Sequence, residues 1–116
     1  MRVAALIDRD GPTCVWCGAT PWPGDLSVEH LLPRSRRGRG LGENLVLACR
    51  SCNRRRASQP VVAHLRAERA AGREPGVDRL AAALARLSRS PSRRHAEYGR
   101  RQLAALEALP ASGGPR

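Results

Sequence analysis

The stretch "NLVLACRSCNRRR", Asn44 to Arg56, runs from an apolar segment through a C-x-x-C pair into a cluster of arginines. Leu45 to Ala48 has the length and polarity of a buried strand. A helix is expected from about Arg50 onward. The strand and helix together would present two thiolates, Cys49 and Cys52, to a common point. The other half of that arrangement lies upstream in "CVWCG", Cys14 to Gly18. Four cysteines in two such pairs leave none over, and each pair can offer two sulfurs to one tetrahedral ion. In a reducing compartment this is a strong signal for a structural Zn²⁺ held by Cys14, Cys17, Cys49 and Cys52. Two disulfides or a redox C-x-x-C are the competing readings.

Such a staple is needed. The chain has 116 residues, no phenylalanine, two tryptophans and one tyrosine, and much of its apolar content is alanine. One domain with room for an appendage fits that length, and its core must be small. Charge is the largest anomaly: 21 basic residues face ten acidic ones, for a formal +11, and every basic residue is arginine. That balance predicts a polyanionic partner, nucleic acid first, and the planar arginine fork suits phosphate. The opening "MRVAALIDRD" does not read as a signal peptide, and no run approaches the roughly 20 apolar residues of a membrane span. A cytoplasmic protein with no membrane partner is expected, with phage or mobile-element origin an open setting.

Between the cysteine pairs, "LSVEHLLPRS" places Glu29 and His30 in what otherwise reads as an apolar strand, about 26–31. Charged groups are rare in such a setting unless something pairs with them. The zinc clamp brings Asn53, next to Cys52, toward that strand. A carboxylate, an imidazole and an amide oxygen are then expected around one small space, with Arg54, Arg55 and Arg56 beside it. Glu29 and Asn53 suit a hard cation such as Mg²⁺ or Mn²⁺, and a neutral His30 could take a proton from water near pH 7. A buried, structural Glu29–His30 pair is the plainer alternative, as is Asn53 serving only to satisfy backbone amides near a helix start. The connection "PRSRRGRGLGE" carries Arg34, Arg36, Arg37 and Arg39 among glycines and is expected to be exposed, mobile and in contact with phosphates.

Taken together, "CVWCG", "LSVEHLLPRSRRG" and "GENLVLACRSCNRRRAS" resemble the HNH endonucleases of the ββα-metal fold, in the branch where two C-x-x-C pairs hold zinc. The resemblance covers about residues 14–58. It implies a metal-dependent DNA endonuclease leaving 5′-phosphate and 3′-hydroxyl ends. It implies that His30 is the general base, and that Glu29, where the family usually has aspartate, holds the catalytic divalent ion together with Asn53. It also implies that Asn44 fixes the loop so that the histidine points inward, and that Arg56 binds phosphate. A zinc-stabilised module that binds nucleic acid without cutting it is the alternative.

The expected fold is thus small α+β: a ββα-metal core stapled by a four-cysteine zinc site, with a helical C-terminal extension. Residues 1–13 read as a lead-in, 14–58 as the nuclease core and 59–116 as the arginine-rich helical extension. Helices are expected over about 60–71, ending at Gly72, and around "VDRLAAALARLSRS" and "SRRHAEYGRRQLAALEALP". Leu80, Leu84 and Leu87 fall on one face, and a homodimer through these C-terminal helices is an open arrangement. Trp16 and Trp22 are expected in the small core. His64 and His95 read as surface or boundary residues.

Overall fold

The computed structural model describes residues 1–110; the end of the expected C-terminal extension, 111–116, lies outside the described residues. Seven elements follow one another: α1 (Val3–Asp10), β1 (Leu26–His30), β2 (Leu45–Cys49), α2 (Arg50–Arg56), α3 (Val61–Ala70), α4 (Val77–Leu87) and α5 (Arg93–Glu107). The strands pair antiparallel, with Leu26 opposite Cys49, Val28 opposite Leu47 and His30 opposite Leu45.

Successive residues of a strand point to opposite faces, and here both faces are covered. Leu26, Leu45 and Leu47 pack against Leu6 of α1 on one side. Val46 and Ala48 face the larger core on the other, together with Trp16, Val61, Leu65, Leu80, Leu84 and Leu87. This double burial explains why β2 reads as an unbroken apolar run. It also gives residues 1–13 more structure than a lead-in. Val3, Leu6 and Ile7 follow helical spacing and close the sheet's outer face. The α4 leucines that could have served a dimer seam are inside the core, each 0% exposed.

Two tryptophans of one sequence take opposite fates. Trp16 is buried, as expected, but Trp22 is 80% exposed, because the Pro21–Trp22–Pro23 turn projects it away from both cores. His64 and His95 also depart from expectation, at 1% and 0% exposed. His64 packs edge-on against Trp16, with ring centroids 4.7 Å apart. His95 is fully hydrogen-bonded: Nε2 accepts from the Arg39 N–H at 3.0 Å, and Nδ1 meets Ser92 Oγ at 2.7 Å. Among the described residues no helix is long and apolar enough to cross a membrane.

Candidate active site

The four cysteine sulfurs lie within 4.8 Å of one another. Zn–S bonds of about 2.3 Å place tetrahedral sulfurs about 3.8 Å apart, and Cys17 and Cys49 Sγ stand 3.7 Å apart. The first pair is a tight turn in which Gly18, at φ 76°, reverses the chain so that its N–H reaches the Cys14 carbonyl at 3.0 Å. Three backbone N–H groups converge on Cys14 Sγ, those of Trp16, Cys17 and Cys49, at 3.3–3.5 Å. Burial pushes the Cys14 thiol up, but these donors outweigh it and hold its pKa below the ordinary thiol value. Arg55 Nη2 lies 3.4 Å from Cys52 Sγ and shares Glu68 with Arg73. The donor set is therefore closed, all-sulfur and supported by positive partners, which fits a structural zinc ion.

Asn44 is 0% exposed and clamps the arginine loop at both ends. Its Oδ1 accepts from the Leu32 N–H at 2.8 Å, and its Nδ2 donates to Leu32 O and Arg39 O at 3.1 and 2.9 Å. The loop is pinned at further points: Arg36 donates to Ser58 O, and Arg39 N–H reaches His95. Gly38 comes so close to Leu32 that any Cβ would lie 1.6 Å from its carbonyl oxygen. Arg34, Arg36, Arg37 and Arg39 are exposed, so a tethered loop displays the cations that were expected on a mobile one.

Glu29 and His30 are adjacent in β1 and therefore face opposite sides of the sheet. His30 is half-buried, and no side-chain hydrogen bond to it is present among the described residues. Burial, with Arg34, Arg56 and the N-terminal amine nearby, holds its pKa below the ordinary imidazole value of 6.5. It is therefore a neutral base at neutral pH. Glu29 turns inward and is 4% exposed. Its Oε2 accepts from the Trp16 indole N–H at 3.1 Å, and Oε1 lies 3.2 Å from Arg56 Nη1. Burial pushes its pKa up, while Arg56 and Trp16 oppose that rise.

The three arginines after Asn53 divide by helical phase. Arg54 and Arg55 are exposed, whereas Arg56, expected to bind phosphate, is 0% exposed. Its guanidinium bridges the carbonyls of His30, Leu31 and Gln59, and sits 5.7 Å from the Trp16 ring centroid. Arg56 thus fixes the end of β1 and has no fork left for a phosphate. Asn53, one turn earlier, donates to Ser27 Oγ at 3.0 Å and to Val28 O at 3.1 Å. Its amide oxygen has no hydrogen-bond partner among the described residues. Ser27, Arg50, Asn53 and Arg54 line an open pocket of about 230 Å³. Asn53 and Glu29 therefore occupy neighbouring rungs of the β1–α2 contact, one open and one closed. In this arrangement the pair does not fit a shared divalent ion, because both Glu29 oxygens are already engaged.

Sequence reading missed the support supplied by α5. Tyr98 OH accepts from the Val61 N–H at 3.1 Å and lies 3.4 Å from Arg56 Nη2, so α5 braces both α3 and the buried arginine. His95, Tyr98 and Gln102 recur at three- and four-residue steps, a polar stripe that points inward and was the available signal.

Residues 14–59 match the HNH endonuclease family. This segment is an HNH nuclease domain. The type II-C Cas9 enzyme from Actinomyces naeslundii is similar to the chain in fold, with a TM-score of 0.58 and 19% sequence identity. That match covers 92% of this chain, which spans only 12% of the Cas9 chain, and it includes helices outside the HNH segment. No curated protein matches.

Proposed function

We propose that the HNH domain of this chain is a metal-dependent DNA endonuclease, hydrolysing phosphodiester bonds to 5′-phosphate and 3′-hydroxyl ends with His30 as the general base. The observation that carries this reading is the state of His30: neutral, free of side-chain partners, and held at the end of β1 next to the exposed Arg34. Its imidazole takes a proton from water, the water oxygen attacks phosphorus, and the P–O3′ bond breaks with its electron pair leaving on O3′. A proton returned to that oxygen completes the 3′-hydroxyl. Exposed Arg34, Arg36, Arg37, Arg39, Arg54 and Arg55 contribute phosphate contacts, which set position without reading sequence. Mg²⁺ or Mn²⁺ dependence belongs to the proposal through the family. Asn53 offers it a free oxygen, but the closed Glu29 means that no step is assigned to the ion.

Relaxation of supercoiled plasmid by zinc-loaded chain, with Mg²⁺, Mn²⁺ or EDTA, tests this directly. His30→Ala should lower the cleavage rate by about 10²–10⁴-fold, the usual contribution of a positioned base. If the variant cuts as fast as the wild type, His30 is not the base. The pH profile supplies a second check. Protonated imidazole cannot accept a proton, so the rate should fall on the acid side with a midpoint below 6.5, and a midpoint above 7 would contradict the assignment.

The inward Glu29 favours one other reading, a zinc-stapled module that binds nucleic acid without cutting it. Plasmid binding by wild type and variant, with no cleavage under any metal, would select it.

A further inference from the structure

Trp22 is the most exposed large apolar side chain among the described residues, in a chain with few aromatic residues to spend. Its position is set by the backbone. Pro21 and Pro23 flank it, and Trp22 adopts φ −50°, ψ 131°, the extended conformation favoured before proline. Pro23 opens a short 3-10 turn, Pro23–Asp25, closed by the Asp25 N–H on the Trp22 carbonyl at 2.8 Å. The indole lies beside Gly24: a Cβ built there would be 3.6 Å from Trp22 Cδ1. The Gly24 carbonyl accepts from Arg50 Nε at 3.1 Å. Arg50 in turn lines the open pocket with Ser27, Asn53 and Arg54.

One strip of surface therefore carries an exposed indole, two exposed arginines and the Asn53 amide oxygen, which has no hydrogen-bond partner among the described residues. Paired bases present only their edges to a protein, and their faces are hidden within the stack. An exposed indole next to cations matches the face of an unpaired base and the phosphates that flank it. We infer that Trp22 is a base-stacking platform and that the preferred substrate of this domain is DNA with unpaired nucleotides, bound with its phosphates on Arg50 and Arg54. Stacking accepts any base, so the selectivity is for strandedness, not sequence. The inference rests on the nuclease reading above and narrows its substrate class.

The test uses the zinc-loaded full chain in a His30→Ala background, so that binding is read without cleavage. Affinities are measured at low salt for a labelled single strand, a duplex with a single-stranded gap, and the uninterrupted duplex. Trp22→Ala should weaken binding to the single strand and the gapped duplex roughly tenfold, from the usual energy of base–aromatic stacking. Binding to uninterrupted duplex, which rests on phosphate contacts, should change by less than about twofold. Trp22→Phe should recover most of the loss. Single-stranded DNA should also quench tryptophan emission in the Trp22-containing chain, and not in Trp22→Phe, where only the buried Trp16 remains. Because Trp22 packs in neither core, these variants should melt with the parent chain. Equal losses on all three DNAs, or no loss on any, would sink the stacking platform and leave the nuclease reading intact. Absence of salt-sensitive DNA binding by the parent chain would overturn both.

Discussion

Replacing Cys14 with serine, or removing zinc with a chelator, should abolish the cooperative thermal transition of the chain and not merely lower its midpoint. Cys14 is 0% exposed, and its sulfur collects three backbone N–H groups from both cysteine segments. The turn it anchors is wedged into the fold: Val15 N–H bonds to Leu47 O of β2, and Gly76 N–H at the start of α4 bonds to Trp16 O. Loosening the turn therefore frees the sheet, α2 and the C-terminal helices together. Without the ion, the crowding of sulfurs is itself unfavourable. Burial and the neighbouring cysteines push Cys49 up to about 12, and Cys52 further. A metal-free chain must keep these groups protonated in a space shaped for thiolates. Structural zinc contributes about 10–16 kcal/mol in small zinc-dependent folds, against a total stability of about 5–15 kcal/mol for a typical domain. The first figure consumes the second. Circular dichroism melts with and without chelator, beside a zinc stoichiometry measurement, read the outcome. The expected stoichiometry is one ion per chain, with structure regained on adding zinc. An equally sharp melt at the same midpoint after complete zinc removal would falsify the structural role.

The sequence made the staple and both strands legible because each rests on a local pattern. C-x-x-C spacing needs no tertiary information, and the apolar run 45–48 is bounded by residues that differ from it. Helix limits were also readable: α3 follows Pro60, and Gly72 at φ 83° sits just beyond its end. What local patterns could not settle was direction. "NRRR" does not say which arginine turns inward, and the answer depends on how α2 lies on β1. Once Asn53 faces Ser27, Arg56 three residues later must face Glu29, while Arg54 and Arg55 turn outward. The same problem hid the separation of Glu29 from His30, since strand alternation sends neighbours to opposite faces. His64 and His95 are polar residues on helical faces that happen to be enclosed by Trp16 and by the arginine loop. Those enclosures are long-range and leave little trace in the residues next to them. Trp22 is the converse case, an apolar residue kept in solvent by two prolines.

Glu29→Ala should destabilise the chain by about 3–5 kcal/mol, the usual cost of breaking a buried pair by removing one partner. At this chain length that corresponds to a loss of roughly 10–20 °C in melting temperature. The argument turns on Arg56. Its guanidinium is 0% exposed, so deleting the carboxylate leaves a buried charge with only neutral acceptors. The Trp16 indole N–H loses its acceptor as well. Glu29→Gln should fall between wild type and alanine. Trp16 and Arg56 sit against different oxygens of Glu29, and glutamine replaces one of those oxygens with NH₂, so one donor is left facing an amide NH₂. Arg56→Met should be no milder than Glu29→Ala, since the carbonyls of His30, Leu31 and Gln59 lose their donor together and Glu29 is left buried and unpaired. Urea titrations with an unchanged slope would give this order. A cost below about 1 kcal/mol for Glu29→Ala would mean that the pair behaves like an exposed one, and that the inward arrangement is not the one the protein keeps in solution. The same variants separate two roles of the carboxylate. Arg56 grips the carbonyl of His30, so any loss of the pair also loosens the proposed base. Cleavage that falls in Glu29→Gln only in step with its stability assigns the carboxylate to holding β1. Cleavage lost at temperatures where Glu29→Gln is still fully folded shows that the charge itself is required, which is the behaviour of an ion ligand that opens when metal and DNA arrive.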